Sequence, residues 1–196
     1  MAADTLLLDL DGTVWNSRAW YADAIARLSD GSAAEIAVEL EAGANVARIA
    51  RQCGVSNARL AREAREDGAS VEIYDGVFET LERLRARSTP IGVVSNLPGW
   101  LVGPLLESTG VGGHVAATAT PRAGVPAKPQ PHGIKRVLDE LGRPTAGAWF
   151  VGDGTADAGA AAAAGVPFAW VSYGYDAEAP AGTARVLARF GDVLDL

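Results

Sequence analysis

The chain of 196 residues is poor in several features that mark whole classes of protein. A single cysteine, Cys53, excludes an internal disulfide and fits a reducing compartment. No apolar run approaches the ~20 residues of a membrane-spanning helix. The N-terminal stretch MAADTLLLDLDG lacks the positive charge and the length of a signal peptide. We therefore expect a soluble, cytoplasmic protein with no membrane partner.

Positive charge is also scarce. Lysine and arginine together number 17 against 24 acidic residues, which gives a formal net charge of −7. This balance disfavours nonspecific binding to nucleic acid. At 48% hydrophobic and 21% charged residues, however, the chain can bury a sizeable core, which excludes a disordered acidic tail.

Short apolar runs alternate with helical patterns along most of the chain. Runs of this length, bounded by turn residues, are typical of buried parallel strands. Amphipathic periodicity between them predicts helices over 76–88 and 132–142. The alternation predicts an α/β fold, a three-layer sandwich with a central parallel sheet. The predicted strands are 5–10, 90–96, 114–119, 147–153 and 167–173.

Residues 16–75 interrupt this alternation, since they carry helical patterns and no convincing strand. Ser32 and Glu35 have the spacing of a capping box at the start of the first pattern. The residues predict a small all-helical insertion at 16–75, placed after the first strand, which divides the rest of the chain into 1–15 and 76–196. The three helical patterns cover 32–43, 45–54 and 56–68.

Polar side chains gather where the predicted strands end. Ligands bind beyond the carboxyl ends of strands in open α/β sheets. Two like charges ~4 Å apart cost about 4 kcal/mol at an effective dielectric near 20, so converging carboxylates need raised pKa values or a cation. Oxygen ligands without histidine or cysteine select Mg²⁺. A surface Asp-Gly turn and helix N-capping remain alternatives for individual aspartates. The residues concerned are Asp9, Asp11, Ser95, Asn96, Asp153 and Asp157.

Only two of the basic residues are lysines, Lys128 and Lys135. Lys135 falls on a predicted helix, where a solvated surface charge is expected. Lys128 lies in the proline-bracketed loop VPAKPQPHG, where a compact ammonium could supply charge in a space too tight for a guanidinium. A solvated loop lysine is the alternative interpretation.

Taken together, four motifs resemble those of the haloacid dehalogenase-like hydrolase superfamily. They are DLDGT at 9–13, VVSN at 93–96, the Lys128–Pro129 pair and VGDGTADAGAAAAAG at 151–165. Their order and spacing match the family over nearly the whole chain. The position of the helical insertion and the segment from 167 onward are similar to the phosphoglycolate phosphatase-like branch. This resemblance implies a Rossmann-like catalytic core formed by 1–15 and 76–196, with a small all-helical cap at 16–75.

The resemblance implies a Mg²⁺-dependent phosphatase that acts on a small phosphorylated metabolite. Asp9 would be the nucleophile that forms an aspartyl-phosphate, and Asp11 the general acid and base. Lys128 would neutralise charge on the phosphate and the nucleophile. The implied metal ligands are Asp9, the backbone carbonyl of Asp11 and Asp153, with Asp157 and Thr13 supporting them; Ser95 and Asn96 would bind phosphate.

Two further functions remain open. A phosphomutase or other phosphotransferase would use the same motifs, although threonine at position 13 is more similar to the hydrolases. A phosphonate hydrolase of the Schiff-base type is disfavoured because the insertion has no lysine. Less expected is DNA binding by 49–65, which resembles a helix-turn-helix with several arginines. The substrate, the oligomeric state and the cap residues that set specificity are left open.

Aromatic residues follow the first motif closely, beginning with Trp15. Trp15, Asn16, Trp20 and Tyr21 could face a substrate, but packing where the chain enters the cap is the favoured interpretation. Asn16 departs from the resemblance, since relatives often have aspartate there.

Overall fold

The computed structural model describes residues 3–196, so the first two residues of the predicted core domain lie outside the described part of the chain. Strands and α-helices alternate along much of it, with four successive helices after the second strand. In chain order they are β1 (Thr5–Leu8), β2 (Trp15–Asn16), α1 (Arg18–Arg27), α2 (Ala33–Glu41), α3 (Val46–Gln52), α4 (Asn57–Asp67), β3 (Glu72–Ile73), α5 (Val77–Ala86), β4 (Ile91–Val94), α6 (Gly99–Thr109), β5 (Ala117–Ala119), α7 (His132–Leu141), β6 (Ala148–Gly152), α8 (Thr155–Ala164), β7 (Phe168–Val171) and β8 (Thr183–Leu187).

Six of these strands form one parallel sheet in the order β5-β4-β1-β6-β7-β8. β1 lies inside the sheet, where Leu6 pairs with Ile91 of β4 on one side and with Trp149 of β6 on the other. β1 is a continuous leucine run rather than an alternating pattern because it is covered at both edges and on both faces. The carboxyl end of β1, where the first motif begins, is thereby brought between the ends of β4 and β6.

Both faces of the sheet are covered. Leu7 belongs to a buried cluster with Ile134 and Val137 of α7 and with Ala160 and Ala161 of α8. The neighbours of Leu7 along the strand point to the opposite face and are also fully buried. The predicted α/β fold with a central parallel sheet flanked by helices is confirmed.

The chain folds as two compact units, each with its own packing. The core unit comprises the residues up to Trp15 together with Ile73–Leu97 and His114–Leu196, and it holds the six-stranded sheet. The helical unit comprises Asn16–Glu72 and Pro98–Gly113. Within the helical unit α1 packs against α2, and α4 packs against α6. The division into a 16–75 cap and a core stays a prediction as regards its function.

The segment proposed as helix-turn-helix does contain two helices, α3 and α4, joined by a short turn. Asn45 and Ser56 cap them by accepting hydrogen bonds from backbone N–H groups three residues on. Leu60 and Ala64 are fully buried, so the inner face of α4 serves the packing of the helical unit. This arrangement is that of an ordinary helical subdomain.

Several local features differ from the sequence-based expectations. The two-residue strands β2 and β3 pair with each other, although no strand was expected in 16–75. Ser32 precedes α2 but its side chain makes no capping hydrogen bond, so the capping-box prediction is wrong. α1, α6 and β8 were not predicted. No helix among residues 3–196 is long and apolar enough to cross a membrane.

Candidate active site

The first predicted site residue lies directly beyond β1. The N–H of Asp9 donates to the carbonyl oxygen of Val151 on β6 at 2.9 Å, which ties it to the neighbouring strand end. Its carboxylate is largely buried, and its Oδ1 lies 2.5 Å from Nζ of Lys128. The same ammonium lies 2.7 Å from Oδ1 of Asp157, in the first turn of α8. One buried lysine therefore bridges two buried carboxylates.

A third carboxylate completes the cluster. Asp9, Asp153 and Asp157 each offer an oxygen, and these oxygens lie within 4.8 Å of one another. Three ionised carboxylates against the single ammonium of Lys128 leave two negative charges, which a divalent cation would balance. The donor set is all oxygen, which suits Mg²⁺ rather than zinc. By its chemistry and spacing, this cluster fits the Mg²⁺ that the family resemblance implies.

The protonation of these groups reflects burial and crowding. Burial raises the pKa of Asp9 well above its ordinary value, and Asp157 and Asp153 raise it further, while Lys128 lowers it. Burial and, after it, the negative charge of Asp157 raise the pKa of Asp153 to about 7. The hydrogen bond from the N–H of Tyr175 acts in the opposite direction and lowers this pKa. Burial works to lower the pKa of Lys128, but Asp157 and Asp9 outweigh it and the pKa is raised. Lys128 thus remains an ammonium.

Asp153 is held by a segment that the sequence did not point to. The indole N–H of Trp170 donates to the backbone carbonyl of Asp153 at 2.8 Å, and the N–H of Tyr175 donates to its Oδ2 at 2.7 Å. Gly12 (φ +80°) and Gly174 lie so close to the Asp153 side chain that a Cβ at either would collide with it. The carboxylate is therefore fixed from two sides by backbone.

Asp176 is a further acidic residue near this cluster that was not predicted. Its Oδ2 accepts hydrogen bonds from the N–H of Thr155 at 3.2 Å and from the Thr155 hydroxyl at 3.3 Å. Its charge also contributes to raising the pKa of Asp153. A carboxylate at the start of α8 is favourable because the helix dipole is positive there.

Ser95 and Asn96 follow β4 and line one small cavity together with Lys128. Ser95 is buried, and its Oγ accepts a hydrogen bond from the N–H of Leu97, which leaves the hydroxyl proton available to donate. The side-chain amide of Asn96 makes two hydrogen bonds with the backbone of Lys128. Its Nδ2 donates to the carbonyl at 3.1 Å, and its Oδ1 accepts from the N–H at 2.8 Å.

Asp11 and Thr13 lie in the turn that leaves β1. Oδ1 of Asp11 accepts a hydrogen bond from the indole N–H of Trp15 at 2.6 Å. Thr13 is fully buried, and its carbonyl accepts from the hydroxyl of Tyr173 at 2.9 Å. The carboxylate of Asp11 is not part of the three-carboxylate cluster.

The sequence did not mark Trp170, Tyr175 or Asp176 as contacts of the site, and for Trp15 packing was the favoured interpretation. Trp170 is a strand residue of the kind that normally fills a core, and it is largely buried as well. The contact from Tyr175 comes from a backbone N–H, which every residue except proline carries and no pattern reveals. The SYGYD run, with a glycine between two tyrosines after a strand, was the available signal of close backbone approach.

Comparisons with known proteins agree with this geometry. The model of the hydrolase family described as haloacid dehalogenase-like hydrolase matches residues 3–165. The phosphoglycolate phosphatase of Rhodospirillum rubrum is 32% identical over 213 residues, which cover 97% of this chain and 88% of that protein. The phosphoglycolate phosphatase of Pectobacterium atrosepticum is 32% identical and covers 97% of this chain and 91% of its own length.

Solved structures share the fold at lower identity. CbbY from Rhodobacter sphaeroides, in complex with phosphate, matches with a TM-score of 0.74 and 18% identity, covering 99% of this chain and 100% of that one. A HAD phosphatase from Thermococcus onnurineus matches with a TM-score of 0.72 and 20% identity, covering 100% and 97%. The chain therefore belongs to the haloacid dehalogenase-like hydrolases, in the phosphoglycolate phosphatase-like branch, and is a phosphoric monoester hydrolase.

Proposed function

We propose that this protein is a Mg²⁺-dependent phosphatase that hydrolyses a small phosphomonoester through an aspartyl-phosphate on Asp9. The observation that carries the proposal is the buried contact of Asp9 with Lys128 inside a cluster of three carboxylates. A buried carboxylate beside a fixed ammonium suits nucleophilic attack on phosphorus, because the ammonium offsets charge on the phosphoryl group. The relatives named phosphoglycolate phosphatase support a small phosphorylated metabolite as the substrate.

The reaction divides into two transfers. In the first, a carboxylate oxygen of Asp9 bonds to phosphorus, the bond from phosphorus to the ester oxygen breaks, and Asp11 gives that oxygen a proton. In the second, Asp11 takes a proton from water, the water oxygen bonds to phosphorus, and Asp9 departs as a carboxylate. Asp11 is a suitable single acid and base because each step restores the protonation state that the next one requires.

Each remaining residue acts through charge or position. Lys128 offsets negative charge on Asp9 and on the phosphoryl oxygens, and Ser95 donates its hydroxyl proton to phosphate. For Asn96 we propose that the side chain acts by fixing the backbone of Lys128, since both ends of its amide bond there. A bound Mg²⁺ would be held by Asp9, the Asp11 carbonyl and Asp153, with Asp157 and Thr13 in support, and would stabilise charge on the transferring phosphoryl group.

A panel of phosphate esters tests this function. Phosphoglycolate, sugar phosphates, nucleotides and p-nitrophenyl phosphate are assayed for phosphate release with Mg²⁺ and with EDTA. We expect Mg²⁺-dependent release from at least one small ester, and a loss on the order of a thousandfold or more in Asp9→Asn with an unchanged far-UV CD spectrum. Retained turnover in Asp9→Asn would reject the nucleophile. No release across the panel would favour the mutase.

A further inference from the structure

The turn after β1 places a buried tryptophan against the side chain of Asp11. Trp15 is fully buried, and its indole N–H donates to Asp11 Oδ1 at 2.6 Å, a short distance for such a bond. The two residues are four positions apart, and the chain between them closes on itself. The N–H of Gly12 donates to the carbonyl of Trp15 at 2.8 Å, and the N–H groups of Val14 and Trp15 both donate to the carbonyl of Leu10.

The same turn is also held from a distant part of the chain. The hydroxyl of Tyr173, which follows β7, donates to the carbonyl of Thr13 at 2.9 Å. Burial is the main cause that raises the pKa of Tyr173, and the nearby Tyr74 is the second. The hydroxyl therefore keeps the proton that it donates. The backbone that carries the indole and the carboxylate is therefore held both within the turn and from the segment after β7.

The chemistry of the indole decides what this contact does. Indole N–H is a donor only, so the oxygen it holds must act as an acceptor. An Asp11 oxygen that accepts this bond is the poorer site for the carboxyl proton, because a carboxyl hydroxyl oxygen is a weaker acceptor than a carbonyl oxygen. When Asp11 is protonated, the proton is therefore preferentially on Oδ2, and when it is ionised, Oδ2 is the preferred oxygen to take one up.

We propose that Trp15 is a positioning residue for proton transfer: it holds Oδ1 of Asp11, so that Oδ2 is the atom that gives a proton to the leaving oxygen and later takes one from water. This inference rests on the proposed role of Asp11 as general acid and base. It assigns a function to a residue that composition and position alone mark as packing. A buried indole needs an acceptor in either case, so the test must separate orientation from packing.

The choice of leaving group separates a role in orienting Asp11 from a role in packing. An alkyl ester expels an alkoxide, which needs the proton, whereas p-nitrophenyl phosphate expels a stable phenolate that leaves without one. The ratio kcat/KM covers the steps through the first phosphoryl transfer, in which the leaving oxygen departs. A defect in proton donation therefore lowers kcat/KM for the alkyl ester selectively. A packing defect lowers it for both substrates.

Two substitutions of Trp15 separate the hydrogen bond that the indole donates from the volume that it fills. Trp15→Phe keeps an aromatic ring and removes the N–H. Trp15→His keeps a five-membered ring whose Nε2 can occupy the place of the indole nitrogen, but it loses more buried volume. Trp149→Phe, a tryptophan of β6 outside the site, is the matched control. Asp11→Asn provides the reference for complete loss of the acid.

We expect Trp15→Phe to lower kcat/KM for the best alkyl ester on the order of 10- to 100-fold, with a change below about threefold for p-nitrophenyl phosphate. Trp15→His should recover part of the alkyl activity in spite of its poorer packing, and Trp149→Phe should leave the ratio of the two substrates unchanged. In an Asp11→Asn background, Trp15→Phe should add no further selectivity, because both changes remove the same step.

Equal losses on both substrates, or a Trp15→His enzyme as selective as Trp15→Phe, would overturn the inference. If Asp11→Asn does not lower kcat/KM for the alkyl ester, the proposed role of Asp11 is wrong, and the inference about Trp15 is wrong with it. If Asp11→Asn is selective and Trp15→Phe is not, only the role of Trp15 is rejected. Should Trp15→Phe not fold, replacement of Trp15 by 3-benzothienylalanine, which keeps the bicyclic shape and lacks the N–H, takes its place: a selective loss for the alkyl ester supports the inference, and equal losses on both substrates reject it.

Discussion

Replacing Lys128 by methionine removes the only charge that offsets the buried carboxylates among the contacts described above. Nζ lies 2.5 Å from Asp9 and 2.7 Å from Asp157, and the side chain is 4% exposed. Breaking a buried ion pair by removing one partner costs roughly 3–5 kcal/mol, because the charge left behind has no counterion. Methionine keeps most of the length and apolar volume. We expect Lys128→Met to lose about that much unfolding free energy at pH 8.

The loss of unfolding free energy in Lys128→Met should become smaller as the pH falls. Without the ammonium, the carboxylates can be neutralised only by protons, and their raised pKa values make this possible near neutrality. The folded-state pKa of Asp153 is about 7 against an ordinary 3.8, so its ionisation opposes folding fully above pH 7 and not at all below about pH 4. Asp9 shifts in the same direction. At pH 5 we therefore expect the difference between Lys128→Met and the parent to be less than half of its value at pH 8.

Urea denaturation followed by far-UV CD, in EDTA at both pH values, measures these free energies. Lys135→Met is the matched control, because Lys135 is the only other lysine and is exposed on α7. Surface substitutions of this kind change stability by no more than about 0.5 kcal/mol. If Lys128→Met and Lys135→Met were equally stable at pH 8, the ammonium would not be compensating buried charge and the electrostatic reasoning would be refuted.

Two further predictions concern the metal and its support. Mg²⁺ should raise the melting temperature more at pH 8 than at pH 5, because at pH 5 it must displace a proton from Asp153. Thermal unfolding with Mg²⁺ and with EDTA at both pH values measures this difference. Equal shifts in melting temperature at the two pH values would contradict the prediction. Gly174→Ala puts a Cβ against Asp153 and 2.6 Å from the carbonyl of Gly12, so activity should fall on the order of 100-fold and the Mg²⁺-induced stabilisation should shrink. Gly103→Ala, where a Cβ meets nothing within 4 Å, should keep both, and an active Gly174→Ala enzyme would disprove the close-approach argument.

The core sheet was predictable because its strands bury both faces. The runs at β1, β4, β6 and β7 are continuously apolar in the sequence and fully or nearly fully buried in the fold. β8 was missed because three of its five residues are exposed, so no apolar run marks it at the edge of the sheet. α6 was missed too, since Gly99, Gly103 and Pro104 are poor helix formers that tertiary packing overrides.

The residues of the site were predictable to different degrees. The carboxylates and Lys128 are recognisable because strand ends and a family resemblance both point to them, and the fold brings Asp9, Lys128, Asp153 and Asp157 together. Their supports were not recognisable. The bond from Trp15 to Asp11 depends on how the turn between them closes, and the bond to Asp153 comes from a backbone N–H 22 positions away. Neither geometry is encoded by residue type.

Trapping the phosphorylated enzyme tests the central claim, that the carboxylate of Asp9 accepts the phosphoryl group. The protein is mixed with its best ester and Mg²⁺, quenched within the first turnovers, reduced with borohydride and digested for peptide mass spectrometry. Reduction of an aspartyl-phosphate yields homoserine, so we expect homoserine at position 9 and none when substrate is omitted. Homoserine at Asp153 or Asp157 instead, or active turnover with unmodified Asp9 throughout, would contradict it.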